Sequence, residues 1–218
     1  MTASTGPPPN AAARSERHAL ADLMGRLGPD APTCAGEWTA RDLAAHLVLR
    51  ERRMDAAAGI SFGALAGWTA RVQRGLAGQD WDRLVGQVRA GPPAWSPLSL
   101  ASIDGGMNTI EFFVHHEDLR RGGGQWEPRE LAPVVVGQLW EALRRGVRLI
   151  ARHSPVAITA RPSDGPAAGS QVRLRQGERE VTLVGEVGEC VLAVYGRPSR
   201  VAVEGEPADV AAFHAFER

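Results

Sequence analysis

The sequence predicts a mainly α protein that ends in a small α+β part. Apolar residues recur every three or four positions through most of residues 11–153, which is the spacing of one helix face. From about residue 156 the spacing changes to alternation, which is typical of half-buried strands. We therefore expect a helical bundle over residues 11–153 and a small α+β domain over residues 156–218, after a disordered leader over residues 1–10.

Composition describes a globular protein without a charge bias. The chain has 218 residues, 25 basic and 25 acidic side chains, and 44% hydrophobic residues. A net charge of zero offers no electrostatic footprint for a phosphate backbone or an anionic lipid surface, so we expect no nucleic-acid and no membrane partner. All 25 basic residues are arginine, which excludes Schiff-base chemistry and a lysine general base.

The compartment is predicted from the cysteines and from the start of the chain. Cys34 and Cys190 lie far apart in the sequence, and a reduced thiol pair in a cytoplasmic protein is the favoured interpretation. The first 13 residues hold three consecutive prolines and no hydrophobic segment. We expect neither a signal peptide nor a membrane anchor there.

Two helices are predicted in the first third of the chain. The first begins near Ala11 and ends at Gly28 and Pro29. The second begins after Thr39, whose hydroxyl stands at the N-cap position. Asp42, three residues on, completes an acidic variant of the capping box.

Further helices are predicted up to residue 152. Residues 62–90 have the pattern of one or two helices. After a proline-rich connection, Asn108 or Thr109 is expected to cap a helix over Ile110–Arg121, which three consecutive glycines end. Another apolar stripe predicts a helix from about Arg129 to Arg152.

The last part of the chain alternates between apolar and polar residues. Three short strands are predicted around Val156, Val172 and Val181, with a turn near Gly177. The remaining elements are predicted to be a short helix over Glu189–Tyr195, a strand over Val201–Val203 and a closing helix over Pro207–Phe216.

One pair of side chains has the spacing of a metal clip. Glu111 and His115 are four residues apart on a predicted helix, so they project from the same face one turn apart. An exposed i,i+4 pair is the alternative interpretation. A third ligand is needed, and His46 is the best candidate, although a single histidine in an apolar helix is more often a core residue.

Two neighbouring residues are candidates for supporting roles. Asp118 follows His115 by three residues and is expected to orient a ligand as an outer-shell group, the alternative being an ordinary ion pair with Arg120 or Arg121. Arg50 lies one turn beyond His46, where it is expected to hold a substrate carboxylate in a fork.

The sequence around these residues resembles that of a known family. The segments WTARDLAAHL, which ends just after His46, and NTIEFFVHHEDLR, which contains Glu111 and His115, are similar to the actinobacterial mycothiol-dependent maleylpyruvate isomerase-like proteins. The resemblance spans nearly the whole chain. It implies a DinB-like four-helix bundle that holds a divalent metal through His46, Glu111 and His115. The segment LAVYGR is similar to the family's second domain and implies a catalytic role for Arg197.

Two imidazoles and one carboxylate suit zinc, and the same set accepts iron, nickel or cobalt. Three protein ligands leave an open position, which is typical of catalytic sites. The resemblance implies mycothiol as co-substrate, so we expect a thiol-dependent isomerase or S-transferase that acts on a small electrophilic molecule, as a monomer or homodimer. A metal-dependent hydrolase without a thiol and a non-catalytic metal-binding scaffold or sensor are the alternatives.

Overall fold

The computed structural model of the chain describes residues 8, 10–57, 65–96, 99 and 108–216. Most of the predicted leader, and the start of the helical region predicted from residue 62, lie outside these residues. In the described part of the chain, no helix combines the length and the apolar character needed to cross a membrane. The chain divides into two compact units, Pro8–Trp126 and Glu127–Arg218.

Among its described residues, the regular secondary structure of the first unit is helical, apart from one isolated β-bridge between Pro32 and Thr39. Its longer helices match the predicted segments. In chain order the helices are α1 (Ala11–Leu27), α2 (Ala40–Arg52), α3 (Met54–Ala57), α4 (Ala66–Ala77), α5 (Trp81–Ala90) and α6 (Thr109–Arg121).

Local sequence signals explain where α1 ends and where α2 begins. Gly28, with a φ of 83°, ends α1 in a conformation that favours glycine. Thr39 and Asp42 form the predicted capping box, since each side chain receives a hydrogen bond from the other residue's backbone N–H. The start of α2 is therefore fixed about two turns before His46.

The core of this unit lies among α1, α2, α5 and α6. The helix α1 packs along α6, and α2 packs against α4 and α5. Fully buried side chains from all four of these helices meet there, among them Leu20, Leu43, Leu84 and Phe112. The two helices that carry the candidate ligands, α2 and α6, therefore share one hydrophobic core.

The segment between α1 and α2 is also tied to the end of α6. The Cys34 backbone N–H donates to the Asp118 carbonyl oxygen at 2.9 Å. Gly122 lies so close to this segment that an added Cβ would be 2.1 Å from the Pro32 carbonyl oxygen. A side chain at residue 122 would therefore separate the end of α6 from the chain that leads into α2.

The second unit contains a helix followed by a small four-stranded sheet. The strand order is β2-β1-β3-β4, with β1 and β3 parallel and the outer pairs antiparallel. Its elements are α7 (Pro133–Ile150), 3-10 turns at Ala151–His153 and Gly165–Ala167, β1 (Ala157–Pro162), β2 (Val172–Arg175), β3 (Glu180–Gly185), α8 (Val187–Val194), β4 (Ala202–Gly205) and α9 (Pro207–Ala215).

The bounds of several elements differ from the sequence prediction by a few residues. The helix expected from Arg129 begins at Pro133, a residue whose fixed φ suits the first turn of a helix. The segment around Gly177 does connect β2 to β3, but these strands do not pair with each other, because β1 lies between them. Sequence alternation identifies strands without identifying their partners.

The position of α7 also differs from the expected division near residue 153. This helix belongs to the same compact unit as the sheet, where it packs against α8, β2 and the turn at Gly165–Ala167. The approach at that turn is close, since a Cβ on Gly165 would lie 2.5 Å from Val136 Cγ1. The change from helical to alternating spacing marks the end of α7, whereas the compact unit begins at Glu127.

Candidate metal centre

The fold brings His46, Glu111 and His115 together. Glu111 Oε1 lies 3.3 Å from His46 Nε2 and 3.4 Å from His115 Nε2. The three potential ligand atoms all lie within 4.8 Å of one another. Among the described residues no other group of histidine, cysteine and carboxylate side chains meets this condition.

Helix geometry accounts for this cluster. Glu111 and His115 stand one turn apart on the same face of α6, and His46 reaches them from α2. The His46 ring packs against the Trp38 ring at a centroid distance of 5.1 Å and against the His115 ring at 5.3 Å. The imidazole of His46 is thereby held between an indole and a second imidazole.

Asp118 lies behind His115. Its Oδ2 is 2.9 Å from His115 Nδ1, and its side chain is fully buried. With Nδ1 engaged by the carboxylate, Nε2 is the nitrogen that faces the cluster. A carboxylate that fixes the orientation of a histidine in this way is the usual support of a metal-binding imidazole.

The neighbouring carboxylates control the charge of His115. Burial lowers the pKa of His115, but the hydrogen bonds with Asp118 and Glu111 outweigh burial and raise that pKa to about 9. Without a metal, this imidazole therefore carries a proton at neutral pH. A cation that binds at Nε2 has to displace that proton.

His46 is affected in the opposite direction. Burial lowers the pKa of His46, and the hydrogen bond with Glu111 offsets only part of this effect. The positive charges of His115 and Arg50 lower it further. At neutral pH the His46 imidazole is neutral, which is the form that binds a metal.

Glu111 is a carboxylate at neutral pH. Burial opposes its ionisation, but the positive charge of Arg50 and the hydrogen bonds with His115 and His46 outweigh burial. The pKa of Glu111 consequently lies well below its ordinary value. The cluster thus offers one anionic oxygen between two imidazole nitrogens.

Arg50 lies at the edge of this cluster. Its Nε is 3.5 Å from Glu111 Oε1, and its Nη1 donates a hydrogen bond to Asn108 Oδ1. The sequence prediction gave Asn108 a possible capping role, but its side chain makes no capping hydrogen bond at the start of α6. Sequence reasoning missed its contact with Arg50, and the only available signal was its position three residues before Glu111 on one helix face.

The donor set fits a divalent metal. Metal–nitrogen and metal–oxygen bonds of about 2.0–2.1 Å in a tetrahedron separate neighbouring ligand atoms by about 3.3 Å. The observed separations of 3.3 Å and 3.4 Å from Glu111 Oε1 to the two histidine nitrogens agree with this value. The Glu111 side chain remains 23% exposed, so the cluster is accessible to solvent.

The remaining polar residues of α6 are engaged elsewhere. His116, the residue after His115, is buried with its Nδ1 2.8 Å from Glu16 Oε2. Arg120 and Arg121 both pair with Glu117. Asp118, for which an ion pair with one of these arginines was the alternative interpretation, contacts His115.

Arg197 belongs to the second compact unit. It follows α8, and its Nη1 donates to the Tyr195 carbonyl oxygen at 3.1 Å. Its catalytic role stays a prediction from the resemblance.

The chain matches no model of a known protein family and no curated protein. Its fold does match solved structures. The crystal structure of the mycothiol-dependent maleylpyruvate isomerase is 17% identical with a TM-score of 0.56, and a histidine-to-alanine mutant of that enzyme is 15% identical with a TM-score of 0.58. Each comparison covers 91% of this chain and 92% of the other. The predicted fold class, a DinB-like bundle followed by a small α+β part, is confirmed, and the resemblance seen in the sequence holds for the fold.

Proposed function

We propose that this chain is a divalent-metal enzyme that uses a low-molecular-weight thiol, mycothiol. It acts on a small electrophilic substrate as an isomerase or as an S-transferase. The observation that carries the proposal is the cluster of His46, Glu111 and His115, which offers three ligands and leaves a position open. A fold shared with a mycothiol-dependent maleylpyruvate isomerase supports the choice of thiol.

The chain's own residues bind and orient the metal. His46 and His115 offer Nε2, and Glu111 offers a carboxylate oxygen. Asp118 keeps the His115 ring in the orientation that binding requires. A bound divalent ion, most suitably zinc, would act as a Lewis acid and lower the pKa of a thiol or polarise a carbonyl.

Two arginines complete the proposal. Arg50 lies next to Glu111, where a positive charge favours an anionic substrate group close to the open position. Arg197 is proposed to support the reaction because the corresponding segment of the family contains a catalytic arginine.

The test is a titration of mycothiol into the cobalt-substituted protein. We expect an intense sulfur-to-metal charge-transfer band at millimolar thiol, and a smaller response below about pH 7, where the thiol keeps its proton. The control is the cobalt protein titrated with the S-methylated thiol, which should give no such band.

The alternatives make different predictions in the same experiment. A metal-dependent hydrolase or a non-catalytic metal-binding scaffold would bind cobalt but show no band with the thiol. A thiol band without turnover on any electrophile would contradict the catalytic part of the proposal. A chain that binds no divalent metal at all would contradict the proposal at its first step.

A further inference from the structure

The contact between Arg50 and Asn108 points to a role that the ligand set alone does not require. Asn108 is fully buried and precedes α6, while Glu111 stands three residues later on the same face. Arg50, on α2, contacts both: its Nη1 donates to Asn108 Oδ1 and its Nε lies near Glu111 Oε1. One guanidinium therefore lies between a buried amide and a candidate metal ligand.

The geometry of the guanidinium explains why its orientation matters. The group is planar, and Nε and Nη2 share the edge that forms two parallel hydrogen bonds with a carboxylate. Here Nε is 3.5 Å from Glu111 Oε1, which is longer than a hydrogen bond between these atom types. Arg50 thus attracts the Glu111 carboxylate, but its Nε–Nη2 edge does not form hydrogen bonds with both carboxylate oxygens.

We infer that Asn108 is a positioning residue for the metal site: by holding Nη1 of Arg50, it prevents the guanidinium from forming a bidentate ion pair with Glu111. The inference rests on the metal-binding part of the proposed function. Freed from Asn108, Arg50 would turn its Nε–Nη2 edge onto both carboxylate oxygens. It would then compete with the metal for the same ligand, and the metal affinity would fall.

The test is a double-mutant cycle on the metal affinity, measured by competition with a chromophoric chelator. Asn108→Ala should lower the zinc affinity about 10-fold or more, the range expected for groups that support ligands. In the Arg50→Met background the same Asn108→Ala change should have little effect, because the competing guanidinium is gone. Asn108→Ser serves as a second variant if the alanine protein folds poorly.

A structural role for Asn108 predicts a different result. If Asn108 only supports the start of α6, its removal should lower the metal affinity equally with and without Arg50, and that outcome would overturn the inference. The d–d spectrum of the cobalt protein gives a second readout: Asn108→Ala should change it when Arg50 is present and leave it unchanged in Arg50→Met. If the unmodified chain binds no metal, the proposed function fails; if it binds metal and the cycle shows no coupling, only this inference fails.

Discussion

His115 is the candidate ligand that the chain supports most directly. Asp118, fully buried, engages Nδ1 at 2.9 Å and so determines which nitrogen faces Glu111 and His46. Asp118→Ala should therefore lower the metal affinity about 10- to 100-fold without abolishing it. Competition with a chromophoric chelator measures this change.

The neighbouring histidine provides a matched control for that experiment. His116 is also buried on α6 and has its own carboxylate partner, Glu16, at 2.8 Å. His116→Gln should change the stability of the fold but leave the metal affinity unchanged. Equal losses of affinity in the Asp118 and His116 variants would show that Asp118 acts only through the fold.

The three ligands are expected to act jointly. His46→Ala leaves two ligands, both on α6, which do not fix the geometry of a metal by themselves. We expect the metal content, measured by atomic emission after dialysis, to fall from about one per chain to near zero. Full occupancy in His46→Ala would contradict the ligand assignment.

The two thiols are expected to differ in reactivity. Burial, together with the charges of Asp164 and Glu189, raises the pKa of Cys190 to about 12. At pH 8 only about one Cys190 in ten thousand is a thiolate. Iodoacetamide should therefore alkylate the partly buried Cys34 first and reach Cys190 only on unfolding, as peptide mass spectrometry would show; equal rates in the native protein would contradict this.

The residues of the candidate metal centre could not all be predicted equally well from the sequence. The spacing of Glu111 and His115 is local, so helix geometry alone places them together. His46 is distant in sequence, and its candidacy depended on the resemblance, because no local pattern shows that α2 packs beside α6. The contact of Asn108 with Arg50 joins residues 58 positions apart and became visible only in the structure.

The start of α2 is the element boundary that the sequence predicted best. Thr39 Oγ1 accepts from the Asp42 backbone N–H, and Asp42 Oδ2 accepts from the Thr39 backbone N–H at 3.0 Å. Thr39→Ala should lower the free energy of unfolding by about 1 kcal/mol, the usual cost of a lost N-cap. Urea denaturation checks this, and Thr39→Ser, which keeps the hydroxyl, should lose much less; equal losses would show that the cap contributes nothing.

Other elements show what such local signals can and cannot predict. Capping residues and prolines act within a few positions of themselves, so they predicted the starts of α2 and α9. The order of strands depends on packing between distant segments. The insertion of β1 between β2 and β3 therefore could not be predicted from the turn near Gly177, which suggested only that the chain reverses there.

The division of the chain into two compact units also could not be predicted from local signals. A change of spacing near residue 153 marks where helix gives way to strand, but it does not show which core a helix joins. The apolar face of α7 has the same helical spacing as a bundle helix, yet α7 packs against α8 and β2. Its membership of the second unit depends on close approaches such as that of Gly165 to Val136.

Cutting the chain at two places should distinguish the two divisions. A cut after Trp126 keeps α7 with its sheet, whereas a cut after His153 removes α7 together with the fully buried Leu139 and Leu143. We expect residues 127–218 to unfold cooperatively by circular dichroism, and residues 154–218 to aggregate or lack a transition, because the faces of α8 and β2 that contact α7 would be exposed. Residues 1–126 should still bind metal, since His46, Glu111 and His115 all lie within them. Cooperative unfolding of residues 154–218, equal to that of residues 127–218, would instead place the boundary at the change of spacing and return α7 to the bundle.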